Sequence, residues 1–154
     1  MINIDATEHH HSNHQLTEPQ LLVFADAFAK TLPSVGAIAL WGDLGAGKTT
    51  FIRRAIQAFA GDFDLIVPSP TFTLVQEYIL PKGTLWHCDL YRLTSADECL
   101  ELGLIEAIHD HLCFIEWPER MGSYLPKNRI DIRINATNEY SREFVVIQPH
   151  PKPI

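Results

Sequence analysis

The eight residues Gly42-Asp43-Leu44-Gly45-Ala46-Gly47-Lys48-Thr49 fit the pattern G-x-x-x-x-G-K-[S/T], and they sit between segments of two different periodicities. Before them runs Ala37-Ile38-Ala39-Leu40-Trp41, a continuous apolar stretch of the kind found in strands buried on both faces. After them, Thr50 to Ala60 repeats its apolar residues at helical spacing and stops at Gly61. A strand, a glycine-rich turn and a helix in that order form a cradle for phosphate. The glycines let the backbone turn its N–H groups toward one point, and the helix adds its positive end there. Lys48 brings a point charge to the β- and γ-phosphates. The Thr49 hydroxyl is a hard oxygen ligand suited to Mg²⁺, and Thr50 can donate to the α-phosphate. Gly42, Asp43, Leu44, Gly45, Ala46, Gly47, Lys48, Thr49 and Thr50 are therefore the candidate nucleotide-binding residues.

Hydrolysis requires carboxylates beside such a loop. Leu112-Cys113-Phe114-Ile115 is a second buried-type run and ends in Glu116. In open α/β sheets ligands sit at the carboxyl ends of the strands. Glu116 there can hold Mg²⁺, orient an attacking water, or simply be a solvated residue at a strand exit. Asp89 ends another predicted strand, Thr84–Cys88, within His87-Cys88-Asp89-Leu90-Tyr91-Arg92-Leu93. It can complete a metal shell, position water, or serve a hydrogen-bonded junction, with Arg92 compensating its charge. Thr71, on the loop Ser69-Pro70-Thr71-Phe72-Thr73, is a candidate γ-phosphate sensor of the kind found on switch loops. Trp117 either packs or covers the nucleotide. Lys48, Asp89 and Glu116 are the catalytic candidates, and Thr49, Asp89 and Glu116 the metal candidates.

The remaining pattern indicates one α/β domain over residues 16–148, with a mixed, mostly parallel sheet flanked by helices. Thr17, with Gln20 three residues later, predicts a capped helix ending near Leu32-Pro33. Thr71–Tyr78 predicts a strand, and Thr94 or Ser95 starts a helix to about Asp110. Arg129–Asn135 and Phe144–Ile147 predict an antiparallel C-terminal hairpin at a sheet edge. Residues 1–15, with His9, His10, His11 and His14, read as a disordered leader, and deletion of residues 1–14 is expected to leave ATPase activity intact. Residues 149–154 read as a tail. The three cysteines, Cys88, Cys99 and Cys113, form no metal spacing and no even disulfide set. No apolar run nears the roughly 18–20 residues that span a bilayer. A cytoplasmic protein is the expectation.

Net charge is −7, and residues 55–126 carry 11 acidic side chains against 3 basic ones. Phosphate neutralisation supplies most non-specific nucleic-acid affinity, so this chain is a poor nucleic-acid binder by itself. It can act on nucleic acid through a partner. The N-K-x-D segment of guanine-nucleotide switches is absent, Lys127-Asn128 having the reverse order. A small-molecule kinase is the alternative enzyme class, but no Arg-bearing lid segment is evident.

Four segments together resemble the TsaE (YjeE-type) P-loop ATPases of bacterial tRNA threonylcarbamoyladenosine biosynthesis. They are Gly42–Thr50, Ser69–Val75, His87–Leu93 and Ile115-Glu116-Trp117-Pro118-Glu119, in the order and spacing of that family. The resemblance spans about residues 16–148. It implies ATP and Mg²⁺ as cofactors and slow hydrolysis, with Lys48 on phosphate, Thr49 on Mg²⁺, and Asp89 and Glu116 as metal and water-positioning residues. It implies that Thr17-Glu18 approaches the adenine and that Thr71 lies on a switch-like loop. It also implies a TsaD–TsaB partner assembly that carries the threonylcarbamoyl transfer to tRNA adenosine. Tyr140-Ser141-Arg142 matches an Arg position of the family, with no role assigned to it.

Overall fold

The computed structural model describes residues 9–149. In chain order the elements are β1 (His9–Thr17), α1 (Glu18–Ala29), β2 (Gly36–Trp41), α2 (Lys48–Ala60), β3 (Val75–Leu80), β4 (Gly83–Asp89), α3 (Glu98–Glu101), α4 (Leu104–Asp110), β5 (Leu112–Glu116), a 3₁₀ segment (Pro118–Tyr124), β6 (Arg129–Ala136) and β7 (Ser141–Pro149). The strands form one seven-stranded sheet in the order β1-β7-β6-β2-β5-β4-β3. Its middle, β6-β2-β5-β4, is parallel, and both flanks are antiparallel. The chain is a single α/β domain with helices on both faces of a mixed sheet.

The two continuous apolar runs take the centre. β2 and β5 pair in parallel and are almost entirely buried, as strands covered on both faces must be. Against one face lie α1 and α2. Phe51, Ile52, Ala55 and Ile56 of α2 recur at helical spacing and are fully buried. Phe51 meets Phe28 and Phe144, each with ring centres 5.6 Å away. Burying a side chain of this size stabilises the fold by roughly 1.5–3 kcal/mol. The opposite face is covered by α3 and α4, where Cys99, Leu104 and Ala107 pack on Cys88, Cys113 and Ile115.

Register then sets the chemistry. β4, β5 and β2 are aligned so that Asp89 pairs with Glu116 and Glu116 with Leu40. The three strands end level, at the point where the phosphate loop leaves β2. Because side chains alternate, Leu85 and Phe114 put their strands' odd and even positions respectively on the α2 face, and His87, Asp89 and Glu116 follow them there.

Several expectations are corrected. His9–Gln15 is not a disordered leader but most of β1, paired residue for residue with β7 from His9↔Pro149 to Thr17↔Ser141. Its polar composition hid it, since the backbone supplies the pairing. His14 nevertheless packs on Phe24 with ring centres 4.8 Å apart. Residues 1–8 and 150–154 lie outside the described residues. The β6–β7 hairpin is antiparallel as expected but internal, because β1 covers the outer side of β7. The predicted strand from Thr71 begins only at Val75. Residues 71–74 form a turn closed by Leu74 N–H donating to Pro70 O at 2.7 Å, with Leu74 at φ 68°. The single helix expected up to Asp110 is broken at Gly103, whose φ of 71° ends one helix and starts the next. The Thr17 cap holds: its N–H donates to Gln20 Oε1 at 2.9 Å. Among the described residues no helix is long and apolar enough to cross a membrane.

Candidate active site

The phosphate loop leaves β2 through Gly42, packed against β6. A Cβ on Gly42 would lie 2.6 Å from the backbone oxygen of Ile134, so no other residue fits. The loop closes on itself through Ala46 N–H to Asp43 O at 3.0 Å, and leaves Leu44 exposed at its tip. Gly47, at φ 108°, turns the chain into α2 in a conformation that side chains rarely adopt. Lys48 and Thr49 thus begin the helix, with its first N–H groups turned to the loop.

Lys48 is buried, and its Nζ donates to the Gly42 carbonyl while lying 3.7 Å from the centre of the Trp117 ring. Burial lowers its pKa, and the carboxylates of Glu116, Glu119, Asp89 and Asp43 oppose that shift. Thr49 Oγ1 donates to Glu116 Oε1 at 2.8 Å. Glu116 Oε2 lies 2.7 Å from His87 Nε2, so both oxygens of this buried carboxylate are engaged. Asp89 accepts from Thr71 Oγ1 at 3.1 Å and from the Tyr91 backbone N–H at 3.0 Å. Ser69 and Thr71 hydroxyls are 2.8 Å apart. Trp117 has φ 58° and ψ 52°, a left-handed conformation that is uncommon for a bulky residue and is maintained only by its surroundings.

A cavity of about 250 Å³ is lined by Lys48, Thr49, Thr71, Asp89, Glu116 and Trp117 together with the loop. A second one, of about 580 Å³, adjoins it, and Gly45, Gly47 and Thr50 line both. Its outer wall is Thr17, Glu18 and Pro19 at the start of α1, and Glu139, Tyr140 and Arg142 from the β6–β7 hairpin. The two volumes meet across the phosphate loop, polar and carboxylate-bearing on one side, more apolar on the other. An elongated ligand with a phosphate end and an aromatic end suits this shape.

The candidate nucleotide-binding, metal and catalytic residues named from the sequence lie along this one end of the sheet. Thr17 sits at the far wall, Thr71 beside Asp89, and Glu116 against Thr49. Arg92 differs from its expected role: it does not pair with Asp89 but stacks its guanidinium 5.1 Å over the exposed Phe72 ring. Sequence reasoning missed the hairpin wall. Arg142, to which the sequence assigns no role, donates from Nε to Ala46 O of the phosphate loop at 3.1 Å. Nothing in local periodicity could have joined residues 96 positions apart.

The donors available to a metal are the Thr49 hydroxyl and the carboxylates of Glu116 and Asp89. They are all oxygen, a set that fits Mg²⁺ rather than a softer ion. Among the described residues no group of three His, Cys, Asp or Glu side chains could hold a metal alone. An ion here would therefore draw its other oxygens from ligand phosphates and water, the usual habit of Mg²⁺.

Comparison with known proteins gives a consistent answer. The family model described as threonylcarbamoyl adenosine biosynthesis protein TsaE matches residues 16–144. A Rickettsia bellii protein named tRNA threonylcarbamoyladenosine biosynthesis protein TsaE is 44% identical over 134 residues, covering 80% of this chain and 92% of its own. A Haemophilus influenzae protein of the same name is 36% identical over 124 residues, 77% of each chain. The crystal structure of Bacillus subtilis YdiB superposes with a TM-score of 0.73 at 27% identity, covering 91% of this chain and 86% of that one. The chain belongs to the TsaE family of tRNA threonylcarbamoyladenosine biosynthesis proteins.

Proposed function

We propose that this protein binds ATP together with Mg²⁺ and hydrolyses it slowly, in support of a TsaD–TsaB-like assembly that carries the threonylcarbamoyl transfer to tRNA. The observation that carries the reading is the convergence of the phosphate loop, the Thr49–Glu116 contact and the Asp89–Thr71 contact on one cavity, with a larger cavity across the loop. The triphosphate lies along residues 42–50, and the nucleoside lies between the start of α1 and the β6–β7 hairpin.

Each side chain then has a task. Lys48 turns its ammonium from the Gly42 carbonyl to phosphate oxygens and offsets charge developing there. Thr49 and Glu116 would hold Mg²⁺, whose chemistry when bound is to offset charge on the phosphates. Asp89, with neither oxygen committed to Thr49, orients the attacking water. That water adds to the γ-phosphorus as the bond to the β–γ bridging oxygen breaks, giving ADP and phosphate, and its proton leaves to solvent. Thr71, hydrogen-bonded to Asp89, ties the loop 69–73 to this step. The net charge of −7 supports a role in which tRNA is contacted only through the partner.

The test is ATP turnover with Mg²⁺, alone and with the purified partner assembly. Turnover that depends on the assembly and is lost in Glu116→Ala supports the proposal. A wild-type protein that binds no nucleotide in the presence of Mg²⁺ overturns it.

A further inference from the structure

His87 is fully buried on β4, in register with Phe114 of β5, between the apolar packing of Leu85 and Phe114 under α2 and the carboxylates of Asp89 and Glu116 at the strand ends. Its ring makes one polar contact, Nε2 to Glu116 Oε2 at 2.7 Å. Among the described residues its Nδ1 has no partner. These two facts favour a hydrogen on Nε2. A lone pair on Nε2 would face the lone pairs of a carboxylate, and an N–H on Nδ1 would be buried without an acceptor. A hydrogen on Nε2, directed at Glu116 Oε2, is the arrangement that suits this contact.

An unpaired buried nitrogen destabilises the fold. A leucine there would fill similar space without that cost. What the imidazole offers instead is a single hydrogen bond, directed at Glu116. The other oxygen of Glu116 accepts from Thr49. The carboxylate is held between a donor in the core and a donor at the start of α2.

We infer that His87 is a positioning residue for the reaction: its Nε2–H anchors Glu116 Oε2 so that Oε1 stays aimed at Thr49 and at the oxygen-lined cavity. This rests on the Mg²⁺–ATP reading above. Groups that orient metal-binding side chains in this way typically change metal affinity or activity 10–100-fold when removed.

Three measurements test it. The first is a long-range ¹H–¹⁵N spectrum of the wild-type ring, which needs no ligand: hydrogen on Nε2 is expected, and hydrogen on Nδ1 alone overturns the inference. The second is affinity for a fluorescent ADP analogue with and without Mg²⁺ in His87→Leu. The Mg²⁺-dependent gain in affinity should fall roughly 10-fold or more, with metal-free affinity within about 2-fold of wild type. The third is turnover with the partner assembly, where His87→Leu should lose kcat about 10–100-fold at little change in KM. His87→Gln, whose amide nitrogen sits at the same reach, should restore most of both losses. If His87→Leu matches a wild type that does bind Mg²⁺–nucleotide, or if His87→Gln is as defective as His87→Leu, the inference falls while the ATPase reading stands. If the wild type binds no Mg²⁺–nucleotide, the broader reading falls first and this one with it. Should His87→Leu fail to fold, the tautomer and the His87→Gln values decide.

Discussion

The ammonium of Lys48 sits 3.7 Å from the centre of the Trp117 ring while also donating to the carbonyl of Gly42. The cation that should meet phosphate is thus held at home by a π face and a backbone oxygen. Trp117 in turn contacts Tyr91, ring centres 5.0 Å apart, and carries a left-handed backbone. A cation–π contact of this kind contributes roughly 0.5–2 kcal/mol. Phosphate must replace it, so nucleotide binding should change the surroundings of this indole. Trp117 emission is expected to shift on addition of ATP in a Trp41→Phe, Trp86→Phe background and to stay flat in Lys48→Ala. An ATP-induced shift of equal size in Lys48→Ala would mean the ring senses something other than the lysine.

Lys48→Ala itself should remove productive ATP binding. Charged hydrogen bonds contribute about 1.5–3 kcal/mol each, so losing even one lowers affinity at least roughly 10-fold. Nucleotide titration is the check, and unchanged affinity would remove the phosphate-loop assignment. The pH dependence has a definite sign. Burial lowers the Lys48 pKa in the free protein, so the charged form is disfavoured on folding. That cost is present in full below the lowered pKa and fades as pH rises from there toward 10.5, the unfolded-chain value. The free protein should gain stability relative to Lys48→Met across no other window, whereas phosphate binding weakens there as the ammonium is lost.

Two glycines of the same loop should respond differently to a methyl group. At Gly42 a Cβ would sit 2.6 Å from the Ile134 oxygen, a backbone atom of β6 that cannot step aside without moving the sheet. At Gly45 nothing lies within 4 Å, and only its φ of 78° opposes a side chain. Left-handed backbone costs an L-residue about 1–2 kcal/mol. Gly45→Ala should therefore fold, with a melting temperature lower by roughly 2–8 °C for a chain of this size. Gly42→Ala should lose more than about 4 kcal/mol and accumulate poorly. Denaturant melts of the two variants decide this, and equal stability would show that the loop can move off β6.

The contrast between what sequence could and could not locate has a physical basis. β2 and β5 were legible because a strand covered on both faces must be apolar throughout, and Glu116 stands out at the end of one. α2 and the phosphate loop were legible because the loop demands glycine where φ is positive and a cation at one position. β1 was not, because its side chains from His9 to Gln15 are polar and its strand character comes from the backbone of β7, far along the chain. Leu74 carries no sequence signal for its left-handed turn, so the strand expected from Thr71 starts four residues later, at Val75. The cavity wall at Glu139, Tyr140 and Arg142 is a meeting of distant segments, and no spacing rule encodes it. Asp89 and Glu116 could be named as neighbours of the loop, but their separate partners, Thr71 for one and His87 with Thr49 for the other, emerge only from register.

Arg142 offers a way to separate the loop's support from its chemistry. Its Nε donates to Ala46 O, and its Nη1 reaches the carbonyls of Asn138 and Ser141 at 3.2 and 3.1 Å. One guanidinium thus joins the hairpin turn to the phosphate loop. Arg142→Met keeps the aliphatic stem and removes these bonds. ATP affinity should fall about 10-fold, the value of one charged hydrogen bond, while kcat at saturating ATP stays within about 2-fold. Arg142→Lys should not restore affinity, because one ammonium cannot reproduce the spread of a planar fork. A loss confined to kcat would place Arg142 at the phosphates instead.

Residues 9–14, expected from the sequence to be dispensable, form most of β1. β1 covers the open side of β7, and its Gln15 side chain donates to the hydroxyls of Thr137 and Ser141, which flank the turn carrying Glu139 and Tyr140. His14 and Leu16 pack over the core that holds Phe24 and Phe144. Deleting residues 1–14 leaves β7 with an unpaired edge and uncovers apolar surface equivalent to about one large side chain, roughly 1.5–3 kcal/mol. The melting temperature should drop by about 3–12 °C. Because the hairpin turn forms the nucleoside wall, ATP affinity should weaken as well, by several-fold, with hydrolysis at saturating ATP largely kept. Deletion of residues 1–8 alone, which leaves β1 complete, is the reference against which both losses are read. If the two truncations behave alike, β1 contributes nothing to the wall, and the β6–β7 turn holds its place through Arg142 alone.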